Sequence, residues 1–218
     1  MAGGYVLPGG RILRYTFGER GMHWVAGLAY VYCLLSGLAI WSPWLFWIAV
    51  VLGGGPVTRA LHPWGGLIYV AATLWMYRTW GQEMRFIPAD KAWLNALSHY
   101  VRNEDEAVPS AERFNAGQKY LFWVMFWGGI VMLLTGLVLW FTESIPWSLR
   151  FLRYISVLLH PIAALVTIGA FMIHVYMGTA AERGAFGSVI RGDVSPAWAK
   201  KHHRIWYEQI TGQAAAKK

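Results

Sequence analysis

Four apolar runs, about Met22 to Trp41, Leu61 to Trp80, Tyr120 to Phe141 and Leu152 to Met177, constrain this chain more than any other feature. Each has the length of about 20 residues that a helix needs to cross the hydrocarbon of a bilayer. The chain has 218 residues, is 56% hydrophobic and 14% charged, and carries 14 Trp, which leaves too little polar surface for an ordinary soluble domain. The fold class this predicts is an all-α membrane protein: one domain over residues 1–218, built as a four-transmembrane-helix bundle, with helices at 22–41, 61–80, 120–141 and 152–177. A connection over 81–116 and a tail over 178–218 complete it. The segment before Met22 carries Arg11, Arg14, Glu19 and Arg20 without an apolar h-region, so the first span should act as its own uncleaved insertion signal.

Charge orients the bundle. Basic residues concentrate on the cytoplasmic side of membrane proteins. Arg11, Arg14 and Arg20 precede the first span; Arg78, Arg85, Lys91, Arg102, Arg113 and Lys119 lie in or beside the second connection; Arg183, Arg191, Lys200, Lys201, Arg204, Lys217 and Lys218 follow the fourth span. The opposite side has Arg59, Arg150 and Arg153, so both termini should be cytoplasmic. The formal charge of +8 thus has a topological explanation, and no nucleic-acid partner is expected. Cys33 is the sole cysteine, which excludes an internal disulfide, a cysteine-held iron–sulfur cluster and a covalent haem site within the chain. Gly53-Gly54-Gly55-Pro56 reads as a turn, and there is no nucleotide-binding glycine motif.

Once the spans are oriented, four histidines acquire depths. His23 opens the first helix at the cytoplasmic side and His62 opens the second at the outer side; His160 lies near the outer start of the fourth and His174 near its cytoplasmic end. At 1.5 Å per residue, His160 and His174 are about 21 Å apart along one helix, and at 100° per residue they lie within about 40° of one face. Two axial imidazoles must share one level, so His62 pairs with His160 and His23 with His174. Such pairs suit the iron of two non-covalent b-type haems with both axial positions filled, which favours electron transfer over oxygen chemistry. Intramembrane histidines also serve as satisfied polar contacts or proton relays, the bland alternative. Pro63 and Pro161 directly follow the outer pair and would loosen or kink the helix, although Pro63 could be a first-turn proline. Gly27, Gly65, Gly66 and Gly169 would admit either a neighbouring helix or a flat macrocycle. His99, His202 and His203, outside the spans, read as solvated or partner-facing.

Between the first two spans, Trp44, Phe46 and Trp47 suit an amphipathic piece in the outer interface, or else a first helix continuing to about Leu52. In the second connection, Trp93, Leu94, Leu97, Tyr100 and Val101 have the spacing of one short amphipathic helix before a charged turn, Arg102 to Glu106. No internal repeat stands out, and low complexity is confined to Gln213–Lys218.

His23-Trp24, His62-Pro63, the run Phe114-Asn115-Ala116-Gly117-Gln118-Lys119, His160 and His174 together resemble the membrane cytochrome b, or gamma, subunit of bacterial respiratory formate dehydrogenases. Trp198-Ala199-Lys200-Lys201-His202-His203 and Trp206-Tyr207 extend the resemblance to nearly the whole chain. It implies an inner-membrane, multi-pass subunit that binds two haem b groups and a quinone. Its partners would be an iron–sulfur beta subunit and a molybdenum- or tungsten-containing alpha subunit. Carried over, His62 and His160 match the ligands of the outer haem iron, His23 and His174 those of the inner one, and Asn115, Gly117, Gln118 and His174 the quinone site. Met22 departs from the family, which commonly has Asn before His-Trp. Asn115 could alternatively do no more than cap the third helix, while Gln118 and Lys119 are further polar candidates for a quinone carbonyl, with Glu112 nearby.

The expected function is electron transfer from the iron–sulfur subunit at the outer face, through two haems, to quinone near the cytoplasmic face. Nothing in the chain could hold a molybdopterin, so formate oxidation belongs to another subunit. The alternatives are a cytochrome b of a hydrogenase or thiosulfate reductase-type complex, or a haem-free anchor. A proton-coupled transporter would need paired carboxylates in the spans, which have none.

Overall fold

The computed structural model describes residues 4–102, 104 and 108–212. Four long helices dominate: α1 (Phe17–Trp41), α3 (Gly55–Trp80), α6 (Ala116–Trp140) and α7 (Phe151–Tyr176). Between α1 and α3 lie a 3₁₀ turn, Pro43–Leu45, and α2 (Trp47–Val51). The 81–116 connection holds α4 (Pro88–Asn95) and α5 (Leu97–Val101); after a π turn at Met177–Ala181, the tail forms α8 (Ala185–Arg191), α9 (Pro196–His202) and α10 (Arg204–Thr211). α1, α6 and the run Phe151–Ala181 are long and apolar enough to cross a membrane. α3 carries Thr58, Arg59, His62 and Arg78 and meets the same criterion only jointly with Pro43–Val51, from which it bends by 85°.

The helices begin earlier than their apolar runs. Thr16 N donates to Glu19 Oε2 at 2.8 Å and Glu19 N to Thr16 Oγ1 at 3.3 Å, a reciprocal capping box that starts α1 at Phe17 rather than Met22. α3 starts at Gly55, so Pro63 lies in its interior and is no first-turn residue. Like Pro161 in α7, it has no N–H for the carbonyl one turn back. The first helix does not run on to Leu52, because it ends at Trp41. The single amphipathic helix expected near Trp93 is two helices, broken at Ala96. The side chains of Tyr100 and Val101, part of the expected charged turn, and Gln213–Lys218 lie outside the described residues.

The chain divides into two compact units. One comprises Met22–Trp75 and Val124–Phe171, the middle stretches of the four long helices. Tyr30, Tyr69 and Val70 form its buried centre, packed by Leu34, Met125, Ile130, Leu133 and Phe171. The two phenols are satisfied, Tyr30 donating to Thr167 Oγ1 at 3.1 Å and Tyr69 to the Met125 carbonyl at 2.9 Å. Gly65 is required by close packing, since a Cβ there would meet Tyr32 at 2.7 Å and Cys33 Sγ at 3.0 Å. Large apolar side chains such as Leu28, Trp64, Trp127, Leu134 and Leu158 are exposed along these helices, the surface a bilayer covers. Gly53 and Gly54, at φ +98° and +96°, make the expected turn into α3.

The other unit comprises the described parts of Met1–Gly21, Met76–Trp123 and Met172–Lys218. The tail is folded onto the N-terminal segment. Strands β1 (Tyr5–Val6), β2 (Ile12–Leu13) and β3 (Asp193–Val194) form an antiparallel sheet in that order, pairing Tyr5 with Leu13 and Ile12 with Val194. Ile12, Val194, Ala199 and Trp206 are its apolar core. Two buried ionic clusters brace this unit. Arg113 contacts Glu19 and Glu83, each at 2.8 Å, and donates to the Arg14 carbonyl, while Lys119, with no exposed surface, contacts Asp90 at 2.8 Å and Glu112 at 3.4 Å.

Candidate functional site

The His62–His160 pair is built from four helices of one unit. His62 on α3 and His160 on α7 face each other with ring centroids 6.3 Å apart and planes at 68°. Each has a hydroxyl at its δ nitrogen: Ser36 Oγ of α1 lies 2.8 Å from His62 Nδ1, and Thr135 Oγ1 of α6 lies 2.9 Å from His160 Nδ1. A hydroxyl has one proton, and both give theirs backwards along their own helix, Ser36 to the Tyr32 carbonyl and Thr135 to the Val131 carbonyl, each at 2.7 Å. In the tautomer that keeps those two bonds, each oxygen accepts from the imidazole. Nδ1 carries the hydrogen, and Nε2 keeps its lone pair.

That tautomer is the one a metal requires at Nε2, with a second partner fixing ring orientation. Two metal–nitrogen bonds of about 2 Å, together with the two ring radii, put facing imidazole centroids about 6 Å apart, and the observed 6.3 Å meets that demand. Glycines complete the fit. A Cβ at Gly37 would stand 3.3 Å from His62 Cε1, and one at Gly136 would stand 3.2 Å from His160 Cε1. At Gly27, Gly66 and Gly169 an added Cβ would meet nothing within 4 Å, so helix contact does not account for these three.

Ser36, Thr135 and their glycines were not singled out by the sequence reading, yet a signal exists. Leu34-Leu35-Ser36-Gly37-Leu38-Ala39-Ile40-Trp41 in α1 recurs in α6 as Leu133-Leu134-Thr135-Gly136-Leu137-Val138-Leu139-Trp140, with conservative exchanges, and Leu61-His62-Pro63 in α3 recurs in α7 as Leu159-His160-Pro161. The chain therefore contains an internal repeat, contrary to the first expectation.

His23 lies in α1, half-buried, with its ring edge-on to Trp24 at 5.7 Å. His174 lies in the last turn of α7 and is also half-buried. Phe122 and Met76 occupy the places where the repeat would carry counterparts of these two, so this pair falls outside the duplication.

Asn115 and Gln118 close a capping box at the start of α6. Gln118 N donates to Asn115 Oδ1 at 2.9 Å and Asn115 N to Gln118 Oε1 at 3.0 Å. Both amide oxygens are thereby used, and both NH₂ groups remain as donors. The two residues line a cleft of about 420 Å³, counted with its open mouth, together with Trp93, Glu182, Trp198 and His202. Gly117 makes room for the Trp93 indole, 3.2 Å from where a Cβ would stand. Lys119 is not among the cleft residues, since its ammonium is committed to Asp90 and Glu112. His203 also departs from expectation. It is 2% exposed and its Nδ1 donates to the Glu112 carbonyl at 2.6 Å, while burial holds its pKa well below the ordinary value. His202 is partly buried beside Glu182, and His99 is exposed and pairs with Glu104 at 2.5 Å.

A helical chain with bilayer-length apolar spans and an imidazole pair poised at Nε2 has the construction of a membrane cytochrome b. The chain belongs to the prokaryotic cytochrome b561 family, whose model matches residues 14–192, and haem b is its implied prosthetic group. Within that class it is similar to the nitrate-inducible formate dehydrogenase cytochrome b556 subunit of Escherichia coli K12, 32% identical over 210 residues that cover 95% of this chain and 94% of the relative. A second formate dehydrogenase cytochrome b556 subunit of the same organism is 30% identical over 91% of this chain and 93% of its own length. The formate dehydrogenase cytochrome b556 subunit of Haemophilus influenzae is 28% identical, covering 91% and 83%.

Proposed function

We propose that this chain is the membrane cytochrome b subunit of a formate dehydrogenase complex in a bacterial inner membrane, passing electrons from an iron–sulfur subunit at the outer face, by way of two haem b groups, to a quinone near the cytoplasmic face. The names of the relatives support the complex. The distribution of Lys and Arg supports cytoplasmic termini. A molybdenum- or tungsten-containing subunit would carry formate oxidation.

The observation that carries this reading is the His62–His160 pair, with a hydroxyl at each Nδ1. Haem b held there supplies reversible one-electron chemistry at an iron closed to oxygen. Ser36 and Thr135 orient the rings and raise their basicity. His23 and His174 are the ligands the sequence offers for the second haem. Asn115 and Gln118 offer amide NH₂ donors to a quinone carbonyl, and their capping role is compatible with that contact. Electrons driven inward against an inside-negative potential need about 2.3 kcal/mol per 100 mV, which the redox reaction must supply.

The test is a dithionite-reduced minus oxidised visible spectrum of the purified complex, with haem counted per copy of this chain, for wild type and His62→Ala. Two low-spin b haems falling to one are expected. An intact wild-type complex without haem would leave only a membrane anchor.

A further inference from the structure

The cleft at the start of α6 contains an acid–base pair that electron transfer through the histidine ligands leaves unused. His202, the last residue of α9, and Glu182, which closes the π turn after α7, place Nε2 and Oε1 2.9 Å apart with side chains 14% and 12% exposed. The contact is an ion-pair approach rather than a linear hydrogen bond. Exposed pairs of this kind contribute little to stability, but this one is largely withdrawn from solvent and opens onto the same cleft as Asn115 and Gln118. Its surroundings hold it in place. The Trp198 ring lies 5.1 Å from the His202 ring, and the Arg14 guanidinium lies 4.6 Å from the Trp198 ring on its other contacts. The charged or titratable neighbours are Lys201 on α9, which also lines the cleft, buried Arg14, and His203, whose Nδ1 is spent on Glu112.

Resting on the reading of this cleft as a quinone site, we propose that His202, recharged through Glu182, is the proton donor to the quinone. Converting quinone to quinol takes two electrons and two protons. Bound haem b would supply the electrons one at a time. As each electron reaches the quinone, an oxygen gains basicity; a ring N–H of the His202 imidazolium breaks and an O–H bond forms. Glu182 then returns a proton from cytoplasmic water to the imidazole. Two such cycles balance the reaction, with the amides of Asn115 and Gln118 holding the carbonyl and His202 supplying the proton.

The experiment uses the whole purified complex carrying His202→Gln, Glu182→Gln or Asn115→Ala. Four quantities are measured: haem content, formate-driven haem reduction, binding of an unreactive quinone analogue, and the rate of haem reoxidation by a short-chain quinone as a function of pH. For His202→Gln, reoxidation should slow about a hundredfold or more, the usual scale for a lost general acid, with haem content, haem reduction and analogue binding unchanged. Added imidazole should restore part of the rate. Glu182→Gln should keep binding but move the pH profile. Wild-type reoxidation rates and pH profiles in both variants would overturn the proposal and leave the pair as a staple between α7 and the tail. If His202→Gln does not assemble, Glu182→Gln decides by the same criterion. Asn115→Ala separates the two readings: weakened analogue binding keeps the quinone site whatever His202 does, whereas unchanged binding removes the site and the proton donor with it.

Discussion

Ser36 and Thr135 are counterparts, each one residue before a glycine, each giving its proton to the carbonyl four residues back, and each touching the δ nitrogen of a histidine on another helix. Replacing either with a side chain that cannot accept frees the imidazole to change tautomer. Ser36→Ala and Thr135→Val should each weaken retention of haem at His62 and His160 by about 10- to 100-fold, the range for lost outer-shell partners. A less basic imidazole stabilises ferric iron less, so the midpoint potential of that haem should rise. A spectroscopic redox titration of the complex measures both effects.

Gly136 faces His160 closely enough that a side chain acts directly on the ring. Gly136→Val should displace the imidazole and lose the haem held there, while Gly136→Ala, whose Cβ asks His160 to give by only a few tenths of an ångström, should keep it with an altered spectrum. Haem quantification per chain distinguishes these outcomes.

Lys119 is buried against Asp90, itself 5% exposed. Lys119→Met leaves a buried carboxylate without its cation and should cost about 3–5 kcal/mol. Adding Asp90→Asn should recover much of that loss, as thermal unfolding of the purified complex would show.

His203 supplies a pH dependence. Its folded pKa lies below its unfolded value because burial disfavours the imidazolium. The unfolded state therefore binds the extra proton, and stability is full above the ordinary histidine pKa of 6.5 and falls as pH drops below it, by up to about 1.4 kcal/mol per unit. Protection factors of the amides in α9 and α10, that is exchange rates divided by the intrinsic rate at each pH, should fall on acidification, and His203→Gln should flatten that response.

The spans and the histidines were legible because hydrophobic runs and imidazoles are strong one-dimensional signals. Helix starts were less so: Thr16 and Glu19 extend α1 through polar residues that hydropathy discards, although their spacing is itself a capping signature. The folding of the tail was hidden because it depends on pairing Ile12 with Val194, strands of two residues too short to show alternation. Lys119 read as a ligand contact because sequence gives no view of Asp90 beside it. His202 and His203 are adjacent in sequence and both border the cleft, yet His202 meets Glu182 while His203 is locked onto a backbone carbonyl.

The recurrence of Ser-Gly with His-Pro as Thr-Gly with His-Pro means that a single helical hairpin encodes half of the imidazole pair and its hydroxyl partners. Two copies in one polypeptide complete it, and a free-standing hairpin would need only a second molecule of itself to do the same. Phe122 stands in the repeat where α1 has His23, and Met76 where α7 has His174, so the duplication reaches the Ser/Thr-Gly and His-Pro positions and stops short of those two histidines.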